Sequence, residues 1–138
     1  MDSSLILPIT ILILIAILFL MVSLNKRKIS ATKKKRIIED LYELQKNVSS
    51  NELALRRDSI IKLDNLLSKS LQLYFKNNSS CGDNLKNANK LFRKKKYNDI
   101  WEIHKMRNKI VHDDYEVSEF EATKAFDVYK FAILKILQ

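Results

Sequence analysis

One glycine and one proline in 138 residues leave little turn chemistry for a many-stranded β fold. Helices joined by short loops remain, so the expected fold class is all-α. One cysteine, Cys81, excludes an internal disulfide, supplies no metal cluster and suits a reducing compartment. The chain also lacks a Gly-rich phosphate loop, a Ser/His/Asp set and a Cys-x-x-Cys pair. The only two histidines, His104 and His112, stand eight residues apart with no evident third ligand, so neither a metal nor a cofactor is expected.

Acidic residues are missing where bases are densest. The formal charge is +9, yet residues 1–24 carry one acid and no base, and residues 25–36 carry seven bases and no acid. The remainder of the chain is only mildly basic. The charge excess thus flanks an apolar run, Leu5 to Leu24, which has twenty uncharged residues, fifteen of them Leu, Ile, Val or Phe. A helix of that length spans ~30 Å, the thickness of a hydrocarbon core. The sequence alone therefore predicts a transmembrane anchor over 1–25 and a basic juxtamembrane segment with a helical stalk over 26–48. By the positive-inside rule, the N-terminus is expected outside a cell membrane and the C-terminal domain in the cytoplasm. Attraction of the seven bases to anionic head groups is a weaker additional role.

Helical periodicity then organises residues 49–138. A Ser-x-x-Glu capping box, Ser49 to Glu52, is expected to open a helix that runs to about Phe75, with Leu53, Ile60, Leu67 and Tyr74 at sevens and Leu63, Leu66 and Leu71 beside them. Residues 77–82 form a turn-rich break. Asp83 to Lys95 reads as a short helix ending in the basic cluster Arg93–Lys96. Asn98 or Asp99 can cap the next helix, which extends to Val111. A second box, Ser118 to Glu121, starts the last helix, where Ala122, Ala125, Tyr129, Ala132, Ile133 and Ile136 form an apolar stripe. About four helices in an up-and-down bundle are expected to follow the anchor.

The chemically informative stretch is Trp101 to Asp113. Arg107, Asn108 and His112 are polar residues near the end of an otherwise amphipathic helix. Asn108 and His112 lie one turn apart on one side. Arg107 and His112 differ by ~140° around the axis and share no face of a straight helix. The reach of the Arg107 side chain, a helix end near His112, or a second subunit is needed to bring them to one substrate.

Arg107-Asn108-Lys109-Ile110-Val111-His112, an Arg-polar-x3-His arrangement, resembles the signature of the HEPN superfamily of helical domains. Lys62 to Leu67 resembles its first core helix, and the Ser118 box resembles the opening of its closing helix, so the likeness covers about residues 50–138. The resemblance implies a metal-independent endoribonuclease of toxin or defence type acting as a homodimer. In that reading His112 is the general acid/base, Arg107 stabilises charge on the phosphoryl oxygens, and Asn108 positions the phosphate or His112. His104, Lys105 and Lys109 are the substrate-binding candidates, RNA is the substrate, and a nucleotidyltransferase-type protein is an implied partner. The other reading is a non-catalytic dimerisation or partner-binding module, with Arg107 and Asn108 holding helix-end carbonyls.

Overall fold

The structure, a computed structural model, describes residues 3–24 and 29–138. Among them there are six α-helices and no strand: α1 (Ser3–Leu24), α2 (Ala31–Val48), α3 (Leu53–Phe75), α4 (Cys81–Asn87), α5 (Lys94–His112) and α6 (Glu119–Leu137), with one 3-10 turn at Asn89–Leu91. The expected all-α class holds.

The expected membrane anchor does not. Among the described residues, no helix is long and apolar enough to cross a membrane. In α1 the described side chains run over 6–22 and are all exposed. The transmembrane assignment of Leu5–Leu24, and the single-pass location built on it, are corrected accordingly. Three bases of the expected juxtamembrane segment, Lys26, Arg27 and Lys28, lie outside the described residues.

The stalk expected over 26–48 is revised as well. From Ala31 onward it is α2, and its Ile37, Leu41, Leu44 and Val48 are buried in the common core. These positions recur at 4, 3 and 4, the spacing of one helix face. That face packs on α3 and α6. The bundle therefore holds five helices, not about four.

α3 lies at its centre, packed against α2, α4, α5 and α6. Ile60, Leu63, Leu67 and Leu71 are fully enclosed, while Tyr74, expected on the same face, is exposed. The anticipated Ser49–Glu52 box is absent. The N-cap of α3 is Glu52, whose backbone N–H donates to the Ser50 hydroxyl. Arg56 closes this corner by donating to the carbonyls of Ser50 and Val117, at 2.7 and 3.0 Å. The helix ends at Lys76, in the left-handed region with φ 55°.

Asp83 to Lys95 is not one helix. Ser80 caps a short α4 by accepting from the Asp83 N–H. The chain then turns and re-enters a helix after Arg93, which is extended (φ −65°, ψ 145°). The basic cluster therefore begins α5 rather than ending its predecessor, and neither Asn98 nor Asp99 is a cap. The Ser118–Glu121 box is present in full, and its apolar stripe is buried throughout. Glu121 also accepts from the Tyr115 hydroxyl at 2.6 Å. That bond and the Ser118 backbone hold its carboxyl below the usual range.

Because the box satisfies backbone donors at both of its ends, Ser118→Ala is expected to lower unfolding free energy by about 1 kcal/mol in a urea titration. An unchanged midpoint would show that α6 is fixed by packing alone.

Candidate functional site

The apolar face of α3 contains one charge. Asp64 sits one position after Leu63, is 3% exposed, and must be paired to stay ionised there. Its partners come from two other helices. Oδ1 accepts the Tyr129 hydroxyl of α6 at 2.6 Å and His104 Nδ1 of α5 at 2.8 Å. Oδ2 lies 3.6 Å from Arg107 Nε of α5.

α5 supplies these groups through its period. His104, Arg107 and Asn108 stand at i, i+3 and i+4 and so share a face. Arg107 Nη1 donates to Asn108 Oδ1 at 3.0 Å, which fixes the guanidinium on a second side. Its Nε is buried and makes no hydrogen bond. Trp101 packs edge-on against the His104 ring, with centroids 5.7 Å apart.

Asp64, His104, Arg107 and Asn108, together with Asn65, Ser68, Ser80, Cys81 and Gly82, line a cavity of about 340 Å3. An ionised carboxylate only accepts, so Asp64 assigns the proton of a neutral His104 ring to Nδ1 and leaves Nε2 as an acceptor. Gly82 has no need of glycine for its backbone, since its φ is not positive. A Cβ there would stand 3.5 Å from His104 Nε2 and 4.0 Å from Trp101. The chain's single glycine thus keeps one side of that nitrogen bare.

Burial pushes the Cys81 thiol far up, with the Asp64 charge adding to the rise and Arg107 opposing it. Burial also drives the Tyr129 phenol well up, and Asp64 adds to it both as a charge and as a hydrogen-bond acceptor. Asp64, Cys81 and His104 bring potential ligand atoms within 4.8 Å of one another, the set best suited to a metal ion among the described residues. Its chemistry fits poorly: His104 Nδ1 is committed to Asp64, the thiol resists ionisation, and a guanidinium already neutralises the carboxylate.

Of the residues singled out from the sequence, the cavity unites Arg107, Asn108 and His104. His112 is elsewhere: it is the last residue of α5, exposed, and does not line the cavity. Lys105 and Lys109 line a different cavity with Glu102, Met106, Tyr115 and Glu121. The carbonyls at the end of α5 are held not by Arg107 but by Arg57, which donates to Ile110 O at 3.0 Å and pairs with Asp114 at 2.7 Å.

Asp64, Tyr129 and Gly82 were not legible as site residues by motif. A carboxylate within an apolar stripe is nonetheless a signal, since a buried charge needs partners.

Tyr129→Phe removes one donor from a buried carboxylate and is expected to cost about 1–3 kcal/mol of stability, read by urea unfolding. Both Cys81 and Tyr129 have folded-state pKa values above their ordinary values of 9.0 and 10.0. Their contribution to stability is therefore full below about pH 9 and is lost as pH rises beyond it, because only the unfolded chain then releases the protons. Unfolding free energy should decline from pH 8 to pH 10.5, and Cys81→Ala should flatten part of that decline. A pH-independent stability over this range would contradict the burial of both groups.

Set against known proteins, the chain matches no family model, no curated protein and no solved structure, and nothing in those comparisons identifies a HEPN domain, a ribonuclease or a toxin.

Proposed function

We propose that this chain is a HEPN-like, metal-independent endoribonuclease that acts as a homodimer. The observation that carries the reading is the convergence of His104, oriented by buried Asp64, with the braced guanidinium of Arg107 in one open cavity. A guanidinium offers a planar fork to phosphoryl oxygens, and an imidazole with one nitrogen on a carboxylate presents the other as a base. In this scheme His104 Nε2 accepts the 2′-hydroxyl proton as that oxygen attacks the adjacent phosphorus. Arg107 stabilises the charge that develops on the phosphoryl oxygens, and Asn108 holds Arg107 in place.

The leaving 5′-oxygen needs a proton from a second acid, and His112 is the remaining histidine. Eight residues separate it from His104, about 12 Å along α5, so the two cannot serve one phosphodiester from a single chain. His112 of a second copy resolves this, and its exposure at the end of α5 supports that assignment.

A second reading is favoured by the enclosure of Tyr129 and Asp64: the network ties α3, α5 and α6 together and serves a non-catalytic dimerisation module.

The two readings separate in one assay. Cleavage of a single-stranded RNA by the full chain should persist in EDTA and leave 2′,3′-cyclic phosphate ends. Arg107→Ala and His104→Gln should each lower the rate by at least ~100-fold with helicity retained. Gly82→Ala should lower it less, by covering Nε2. Absence of cleavage by a confirmed dimer, or rates indifferent to Arg107 and His104, would leave the structural module as the account.

A further inference from the structure

The cavity at His104 is one end of a longer groove along α3. Asn65 borders it and also the next cavity, which Lys46, Lys62 and Lys69 line with Asp40 and Glu43. Lys69 and Asp40 in turn border a third, of about 490 Å3, where Lys33 and Arg36 of α2 face Lys69 of α3 and its C-cap Lys76 over an apolar floor of Ile37 and Leu73. Asn65, Lys69 and Gln72 follow at i, i+4 and i+7, a single stripe of the helix about 10 Å long, and Lys76 caps the helix just beyond it.

Charge is graded along this stripe. The far cavity has four bases and one acid, Asp40. Among the described residues, none of those four bases makes an ion pair, whereas Lys62 is paired with Asp58 at 2.7 Å. Lys33, Arg36, Lys69 and Lys76 are all exposed. Unpaired bases strung out along a groove suit a linear polyanion better than a compact one, since each can meet a different phosphate. Lys33 and Arg36 belong to the acid-free basic segment 25–36, and the structure sets them opposite Lys69 and Lys76.

We infer that the groove between α2 and α3 binds the phosphate backbone of single-stranded RNA and leads the strand to the cavity of His104 and Arg107. This rests on the proposed ribonuclease reading for its destination, but not for the binding itself.

The test measures binding without cleavage. A fluorescent 2′-O-methyl oligoribonucleotide, which has no 2′-hydroxyl to attack, is titrated with the full chain across a range of salt. The pairs Lys33→Glu/Arg36→Glu and Lys69→Glu/Lys76→Glu should each weaken affinity by at least ~10-fold at low salt and make the salt slope shallower by about one. The pair Lys94→Glu/Lys95→Glu changes charge equally at the start of α5 and should weaken affinity less than about 2-fold. Equal losses in all three pairs would show bulk charge only, and unchanged affinity in the groove pairs would show no groove; either overturns the inference. So would binding to phosphatidylglycerol vesicles with none to the oligonucleotide. Groove-dependent binding with no cleavage of ordinary RNA supports the groove and removes the ribonuclease reading. Cleavage with groove-independent binding does the reverse.

Discussion

The bundle depends on one buried carboxylate. Asp64 occupies a core position of α3 where an apolar residue would ordinarily stand, and it is tolerated because α5 and α6 both bring donors to it. Removing water from a carboxylate is costly, so these partners are obligatory rather than decorative. Their demand fixes the rotation of α5 about its own axis. Once His104 and Arg107 face Asp64, Lys105 and Lys109 face another cavity, and His112 is left at the rim.

That constraint also links packing to chemistry. The same carboxylate that joins three helices selects the proton position on His104 and braces the guanidinium beside it. Gly82 and Cys81, at the start of α4, complete the wall: one leaves His104 Nε2 uncovered, and the other is a thiol held protonated by burial. Dipoles and charges that are in place before a ligand arrives are the ones that stabilise a developing anion best.

Much of the fold was legible in the sequence because it follows from period and caps. The stripe from Ala122 to Ile136 and the Ser118–Glu121 box stand as read, and α3 ends where its pattern ends. The errors have physical causes. Ser50 rather than Ser49 meets the start of α3, where Arg56 of that helix holds the Ser50 carbonyl together with the Val117 carbonyl of a distant loop. The basic run Arg93–Lys96 suits a helix end by its dipole, yet packing of Phe92 and the turn at Asn89–Leu91 place it at a beginning. An apolar run suggested a membrane span that no helix of the described residues provides. Ile37, Leu41 and Leu44 were visible as a stripe, but the partner face on α3 and α6 was not. For the site, the sequence singled out Arg107, Asn108 and His112, with His104 one turn before Asn108 as a neighbour; the cavity holds Arg107, Asn108 and His104, and His112 lies outside it. Asp64 and Tyr129 were not, because their meeting spans sixty-five residues of chain and three helices.

The central claim is that Asp64 sets the His104 ring so that Nε2 is a bare acceptor facing the cavity. Long-range proton–nitrogen NMR of the folded chain, read on the neutral form of the ring, tests this directly. The account predicts a protonated Nδ1 and an unprotonated Nε2 on His104, with Asp64→Asn redistributing the two forms while His112 is unaffected. A neutral ring that carries its proton on Nε2 in the folded protein, or a spectrum of His104 indifferent to Asp64, would contradict it.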